Sequence, residues 1–129
     1  MGKLLYLECM IYTGYYSKVK KYQEAGLKAI SISVTEPMSI KVDGKIPELA
    51  PNQDLFKRYK IGNIDEMEYT SIYMDQLDKI GIKDILLKIH QYGDDVVLLC
   101  WEAPERFCHR HILADYINNR TKLEIKEYE

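Results

Sequence analysis

The stretch from residue 96 to residue 111 reads as a buried strand, a short polar loop and the start of a helix. The strand is the apolar run Val96 to Cys100, and the helix begins near Cys108 with a thiol, imidazoles and a guanidinium in its first turn. A short apolar run bounded by turn residues is typical of a strand covered on both faces of a parallel sheet. In such sheets, sites lie beyond the carboxyl ends of the strands. The stretch therefore predicts both an α/β fold and the position of its site.

Residues before this stretch predict a strand, a helix and a second strand. Residues 4–11 are apolar at nearly every position, and residues 29–34 form a second apolar run. Between them, Ser17 is a candidate N-cap for a helix that runs through Ala25, and Gly26 is suited to end it. Strand, helix and strand within some thirty residues indicate a right-handed βαβ unit.

The remaining segments predict additional helices and an edge strand. Residues 35–51 contain three of the four prolines of the chain and predict a long loop, which is either a binding loop or a surface insertion. Helices are expected from Asn52 to Lys60, from Asp65 to about Ile80, over residues 82–89 and over residues 108–118. A half-exposed edge strand is expected from about Leu123 to the C-terminus. The chain is thus expected to form one α/β domain over residues 1–129. It is a three-layer sandwich with a mainly parallel, Rossmann-like sheet and extra helices between the second and third strands.

Composition excludes several classes of protein. The net charge is −2, so no overall field attracts the chain to nucleic acid or to a membrane surface. The longest apolar runs are far shorter than a membrane span. Three cysteines form an odd number, and no signal peptide is recognised. We therefore expect a cytoplasmic protein with reduced thiols and no disulfide framework.

Polar turns follow the first and third predicted strands, and both turns lead into helices. If these strands are neighbours, two helix N-termini converge on one crevice, where unpaired N–H groups attract anions. Arg110 is expected to hold a phosphate or carboxylate there. The other candidate binding residues are those of the two turns: Thr13, Gly14, Tyr15, Tyr16, Ser17 and Trp101.

Three residues near the third strand are candidate catalytic residues. Cys108, at a helix N-terminus beside His109, is placed to be a thiolate nucleophile, although a free cysteine is commonly a small core residue. Glu102 is placed to act as a general acid or base, or else to pair with Arg106 or Arg110 and orient the loop. Cys108, His109 and Glu102 are therefore the predicted catalytic set, and the structural alternatives stay open.

A zinc site is a third interpretation of the same cluster. Its ligand types would come from Cys100, Cys108, His109 and His111, with Cys9 as a further thiol. The spacing matches no recognised zinc motif, and positions 108, 109 and 111 of one helix do not point to a single centre. No metal ion and no other cofactor is therefore predicted.

These residues resemble a known family, the domain of unknown function 488. Its hallmark is a Leu-Leu-Cys-x-Glu strand end followed by a Cys-His-Arg sequence that opens a helix. This chain has Leu98-Leu99-Cys100-Trp101-Glu102 and then Cys108-His109-Arg110. Looser agreement lies at Ile11 to Gly14, at Leu49-Ala50-Pro51, and at Tyr69 and Tyr73. The resemblance covers nearly the whole chain and implies a cytosolic α/β protein of a bacterium or phage.

Two positions depart from the family pattern. Many members have Gly-His-Ser where this chain has Tyr15-Tyr16-Ser17, and Asp-Val-Arg where it has Ser33-Val34-Thr35. If those residues act in the family's site, this chain belongs to a divergent branch or has altered chemistry.

Two functional hypotheses follow from the sequence. The first is an enzyme that acts on a phosphate-bearing nucleotide or nucleic-acid substrate with Glu102 or Cys108 and with Arg110. The second is a binding or regulatory module in which the Cys-His-Arg cluster is structural. Nucleic acid itself as a partner is supported only by basic residues that could share a face: Lys18, Lys20, Lys21, Arg106, Arg110 and Arg120.

Overall fold

The computed structural model describes residues 10–101, 103 and 106–129. Its strands are β1 (Met10–Tyr15), β2 (Lys28–Ser31), β3 (Gly44–Lys45), β4 (Asp95–Cys100) and β5 (Lys126–Glu127). Its helices are α1 (Val19–Glu24), α2 (Gln53–Lys60), α3 (Glu66–Ile80), α4 (Ile82–His90) and α5 (His109–Arg120). Short 3₁₀ turns lie at Tyr16–Lys18 and Pro47–Leu49.

The five strands form one sheet in the order β3-β2-β4-β1-β5, and every pair is parallel. β4 lies at the centre, with Gly14 of β1 opposite Leu99 on one side and Ser31 of β2 opposite Leu99 on the other. The predicted α/β fold with a mainly parallel sheet is confirmed, and so is the adjacency of the first strand to the strand at 96–100. Helices α2, α3 and α4 lie between β3 and β4 in the chain, as the helix signals predicted.

Helices cover both faces of the sheet because alternate residues of the central strand point to opposite sides. Val96 and Leu98 join a large core with α2 to α5, whereas Val97 and Leu99 join a smaller core with α1. All four are fully buried, as expected for a strand covered on both sides. The result is a three-layer arrangement with most helices on one face.

The first strand ends later than the sequence predicted. Residues 4–9 of the predicted strand lie outside the described residues, and β1 continues through Thr13, Gly14 and Tyr15. These three were expected in a turn, but each pairs with a residue of β4, and that partner is not visible in the local sequence. Ser17 does not cap α1, because it lies inside the 3₁₀ turn and its side chain is exposed.

The predicted loop over residues 35–51 contains regular structure. β3 forms the edge of the sheet beside β2, and backbone bonds from Asp43 and Ile46 to Ala29 and Ser31 continue the pairing. The proline-rich composition hid this strand because it has only two residues and no apolar period of its own. The second strand, predicted over residues 29–34, is shorter in the structure and ends at Ser31.

Helix boundaries in the middle of the chain agree with their sequence signals. Asn52 Oδ1 accepts from Leu55 N at 2.8 Å and Asp65 Oδ1 accepts from Glu68 N at 2.8 Å, so both predicted N-caps are confirmed. Gly26 and Gly81 end helices with positive φ values of 87° and 89°. None of the helices in the described part of the chain has the length and apolar character needed to cross a bilayer.

Candidate functional site

A cavity of about 780 Å³ opens beyond the carboxyl ends of β2 and β4. Its floor is formed by residues that follow these two strands and by the start of α5, and its walls come from α2, α3 and the segment between them. The lining residues are Ser33, Val34, Thr35, Pro51, Phe56, Tyr59, Lys60, Gly62, Ile64, Tyr69, Cys100, Trp101, Phe107, Cys108 and His109. The site position predicted from strand 96–100 thus coincides with a cavity, but the neighbouring strand that contributes to it is β2 and not β1.

Cys100, Cys108 and His109 form a compact group at the floor, which we call the Cys–Cys–His cluster. One ligand-type atom from each residue lies within 4.8 Å of the others. The two sulfurs are joined as a disulfide, and Cys108 Sγ lies 3.8 Å from His109 Nδ1. All three side chains are buried in the fold and line the cavity.

This convergence corrects two arguments made from the sequence. Cys108 precedes α5 with extended backbone angles (φ −155°, ψ 145°), so its side chain does not follow helical spacing and points to the same centre as that of His109. Cys100 ends β4, and its sulfur is bonded to that of Cys108. The expectation of no disulfide is therefore wrong for this pair, and so is the claim that positions 108 and 109 diverge.

The imidazole of His109 has one defined tautomer. Nε2 lies in short hydrogen-bond contact with the Ile32 carbonyl oxygen, which can only accept, so Nε2 carries the hydrogen and Nδ1 has the lone pair. Burial lowers the pKa of His109 to about 4; the hydrogen bond to Ile32 opposes this effect, and the charges of Arg110 and His111 add to it. His109 is therefore a neutral imidazole whose free lone pair faces Cys108.

Arg110 is fully buried and its charge is neutralised within the protein. Its Nε and Nη2 donate to the two carboxylate oxygens of Glu127 at 3.1 and 3.0 Å, and its Nη1 donates to Cys100 Sγ at 3.1 Å. Burial raises the pKa of Glu127, but the hydrogen bonds from Arg110 and Thr13 and the charge of Arg110 outweigh this, so the pKa lies below its usual value. Arg110 lies behind the cavity floor and is not one of its lining residues.

The predicted binding residues of β1 lie around this ion pair and not in the cavity. Thr13 Oγ1 donates to Glu127 Oε1 at 2.6 Å, and the ring of Tyr15 faces the Arg110 guanidinium at 5.9 Å. Gly14 lies so close to Tyr22 that an added Cβ would come within 2.6 Å of its ring. Ser17 is exposed. The structure therefore groups Thr13 and Tyr15 with Arg110 behind the floor.

Tyr16 and Trp101 connect the predicted turns to the residues after β2. The Tyr16 hydroxyl bonds with Ser31 Oγ at 2.7 Å and with Ser33 Oγ, while Trp101 Nε1 donates to Thr35 O at 2.9 Å. The two rings meet edge to face at 5.3 Å. Of the two, Trp101 lines the cavity and is 49% exposed. Glu102, the predicted acid or base, lies outside the described residues.

Several residues of the site were missed by the sequence interpretation. Ser33, Val34 and Thr35 follow β2, and they were missed because no local signal indicated that β2 pairs with β4. The aromatic wall comes from α2, α3 and Phe107, and the two helices are distant in sequence from the stretch 96–111. Its rings contact one another: Tyr59 with Tyr69 at 5.0 Å and Phe107 with Tyr69 at 5.3 Å. Glu127 lies within the edge strand that was predicted at the C-terminus, but no local signal indicates that it pairs with Arg110.

Comparison with known proteins assigns the chain to a family. No curated protein and no solved structure matches it significantly. The family model DUF488-N3a, described as the active DUF488-N3 subclade, matches residues 16–121. This range includes β2, β4, the cavity walls and the Cys–Cys–His cluster. The chain therefore belongs to the DUF488 family, as the Leu-Leu-Cys-x-Glu and Cys-His-Arg sequences predicted, and within it to the active DUF488-N3 subclade.

Proposed function

We propose that the protein is a cytoplasmic enzyme that acts on a nucleotide, with Cys108 and His109 as its reacting groups. The base occupies the cavity beyond β2 and β4, and the phosphate lies toward Lys60. The observation that carries the proposal is the location of the Cys–Cys–His cluster at the floor of this cavity. The description of the family model as an active subclade supports an enzyme over a binding module.

The walls of the cavity favour a flat aromatic ligand. Phe56, Tyr59, Tyr69, Trp101 and Phe107 supply aromatic surface to a cavity whose volume suits a small ligand. Aromatic side chains stack on nucleobases and contribute about 1–3 kcal/mol per base. Sugars and simple carboxylates would leave most of this surface unused, so the nucleobase is the better fit.

Lys60 is the cation that we assign to the phosphate. It lies at the end of α2, is exposed, and its Nζ lies 5.3 Å from the centre of the Phe56 ring. Arg110 was predicted for this role from the sequence, but its guanidinium is engaged by Glu127 and Cys100. We therefore assign Arg110 to positioning Cys100 and Lys60 to binding the anion.

Trp101 provides a direct test, because it is the only tryptophan of the chain and lines the cavity. Nucleoside monophosphates are expected to quench its fluorescence in a saturable titration, whereas inorganic phosphate and ribose 5-phosphate should not. Lys60→Ala should weaken binding of the monophosphate about tenfold and leave the nucleoside unaffected, since only the phosphate contact is lost. Lys83→Ala, which removes an exposed lysine of α4, is the matched control.

Alkylation of the reduced protein tests the reacting group. A bound nucleotide should slow the modification of Cys108 by iodoacetamide relative to the ligand-free reduced protein, as followed by peptide mass spectrometry. Absence of quenching by all four common monophosphates, together with no protection of Cys108, would rule out the proposed function. Protection by inorganic phosphate alone would instead indicate a simple anion site.

A further inference from the structure

We propose that the reduced Cys–Cys–His cluster binds one zinc ion through Cys100 Sγ, Cys108 Sγ and His109 Nδ1, with the fourth position open to the cavity. Two thiolates, one imidazole and an open position form a ligand set that catalytic zinc sites use. The inference deepens the proposed function, because it names a cofactor for the same site and rests on that proposal only for the ligand that would occupy the cavity. When the ion is bound, Cys108 and His109 hold it, and the open position of the ion would take the place of their free side chains as the reacting centre.

The distance from Cys108 Sγ to His109 Nδ1 agrees with a shared ion, whereas the two sulfurs, bonded to each other in the disulfide, must separate to roughly 3.8 Å after reduction. A zinc ion that is bound tetrahedrally at about 2.3 Å from sulfur and about 2.0 Å from nitrogen keeps its ligand atoms roughly 3.5–3.8 Å apart. Cys108 Sγ and His109 Nδ1 are 3.8 Å apart, and all three ligand atoms fit within 4.8 Å. The extended backbone of Cys108 makes this possible for two residues adjacent in sequence.

The hydrogen bond of His109 selects the nitrogen that a metal needs. Histidine ligands usually donate their second ring N–H to a carbonyl or carboxylate, which fixes the tautomer and the ring orientation. Here Nε2 donates to the Ile32 carbonyl, and the lone pair of Nδ1 points to the sulfurs. The Tyr73 ring also packs edge to face with the His109 ring, with the two ring centroids 5.5 Å apart.

The surrounding charges also favour an ion. Arg110 Nη1 donates to Cys100 Sγ at 3.1 Å, and a guanidinium bonds more strongly to a thiolate than to a neutral sulfur. Glu127 neutralises Arg110, so this ion pair would not compensate the charge of two thiolates at the cluster. A buried pair of thiolates without a cation would be costly, and one divalent ion compensates both charges.

The separation of the two cysteines suits an ion better than a direct bond. Their Cα atoms are 7.5 Å apart, whereas disulfides usually span roughly 4.4–6.8 Å. An ion inserts two metal–sulfur bonds of about 2.3 Å in place of one sulfur–sulfur bond of about 2.0 Å. The disulfide form must first accept two electrons and two protons from a small dithiol, which becomes a disulfide itself. Zinc then binds as the two thiols release their protons to water.

Cobalt substitution tests the site without any assay of activity. The full-length protein is reduced with a phosphine, freed of metal and titrated with Co²⁺ under anaerobic conditions. We expect one ion per chain, thiolate-to-metal charge-transfer bands in the near ultraviolet and the visible bands of tetrahedral cobalt, with displacement by zinc. The oxidised protein is a comparison that needs no variant, and it should show none of these bands.

Variants identify the ligands. Cys100→Ser and Cys108→Ser should each lose about half of the charge-transfer intensity, and His109→Gln should weaken binding at least tenfold. His90→Gln, at the end of α4 and outside the cluster, should behave as wild type. Circular dichroism of each variant shows whether it has folded. If a variant does not fold, the comparison of the reduced with the oxidised wild type tests whether the thiols bind the metal.

Two outcomes would overturn the inference: the absence of charge-transfer bands in the reduced wild type, or bands that persist unchanged in folded Cys100→Ser and Cys108→Ser. Trp101 fluorescence separates this result from the proposed function. If nucleotides still quench Trp101 in a protein that binds no metal, the zinc site is wrong and the nucleotide site stands. If the metal binds and no nucleotide does, the zinc site stands and the nucleotide site is wrong.

Discussion

Arg110 is the largest side chain that is fully buried in the described part of the chain. Its charge is tolerated because Glu127 provides both carboxylate oxygens and Thr13 holds that carboxylate in place. A buried ion pair stabilises a fold little when compared with apolar residues of the same size, but loss of one partner leaves an uncompensated charge in the interior. The Arg110–Glu127 pair therefore makes the position of Cys100 depend on a residue at the far end of the chain.

Replacement of Glu127 tests this dependence. Glu127→Gln keeps the shape and one acceptor but removes the negative charge beside Arg110. We expect the free energy of unfolding to fall by on the order of 3 kcal/mol, measured by urea denaturation. Glu124→Gln, three residues earlier and exposed, is the matched control and should change stability by less than about 0.5 kcal/mol. Equal stability of both variants would contradict a structural role for the pair.

The same pair predicts a pH dependence. The folded-state pKa of Glu127 lies below its ordinary value of 4.5, because the bonds and charge of Arg110 outweigh burial. The stability that the pair contributes is therefore present above the unfolded-state pKa and is lost as pH falls through the lowered folded-state pKa. The gap in unfolding free energy between wild type and Glu127→Gln should be constant above about pH 5 and should shrink on further acidification. Parallel urea titrations at several pH values would measure it, and a gap that widens toward low pH would contradict it.

At the scale of elements, α2 is the helix that carries most of the cavity wall. Phe56, Tyr59 and Lys60 all belong to it, and its first turn is fixed by the Asn52 side chain. Gln76 of α3 also bonds to the segment just before α2. Its Oε1 accepts from Asn52 N at 3.1 Å, and its amide nitrogen donates to Ala50 O at 2.6 Å. The orientation of the aromatic wall thus depends on one cap and one amide side chain.

Two cap candidates allow a matched prediction. Asn52→Ala should lower the free energy of unfolding by about 1 kcal/mol, since it removes the acceptor for Leu55 N. Ser17→Ala should have almost no effect, because no side-chain capping bond forms at the start of α1. Thermal and urea denaturation of the two variants would check this. A larger loss for Ser17→Ala would mean that the sequence interpretation of Ser17 was right.

Local sequence predicted those features whose causes are local. The apolar run of β4, the caps at Asn52 and Asp65 and the positive-φ glycines are each determined by neighbouring residues. The end of β1 and the existence of β3 depend on partner strands, so composition misled at Thr13 to Tyr15 and in the proline-rich segment. The side chains of Cys108 and His109 converge because the backbone of Cys108 is extended just before α5. An argument from helical spacing assumes helical backbone at both residues and therefore failed here.

At the scale of the whole molecule, sheet order decides which predicted residues meet. β4 has β1 on one side and β2 on the other, and the sequence indicated only the first neighbour. The candidate site consequently lies beside Ser33 to Thr35, while the residues expected from β1 surround Arg110 behind it. The place of the site at the end of the central strand could be predicted from sequence, but its second wall and the partner of Arg110 required the fold.

The family model ends at residue 121, but the contacts of the fold do not end there. β5 pairs with β1 at Tyr12 and Thr13, Ile125 is buried, and Asn118 bonds to both backbone groups of Ile125. Tyr128 packs edge to face on Tyr12 at 5.0 Å and on Tyr22 at 5.6 Å. The segment 122–129 thus closes one edge of the sheet and neutralises Arg110.

Deletion of residues 122–129 should therefore destabilise the protein far more than Glu127→Gln does. The deletion loses the ion pair and also exposes the β1 edge and the apolar surface that Ile125 and Tyr128 cover, so we expect more than about 5 kcal/mol and no cooperative folding at 25 °C. Far-ultraviolet circular dichroism and urea denaturation of the shortened chain would show this. The point variant Glu127→Gln is the control, because it removes the charge and keeps the strand. A shortened chain that unfolds cooperatively with the wild-type midpoint would show that the segment matched by the family model supports the fold alone, and that Arg110 finds another partner.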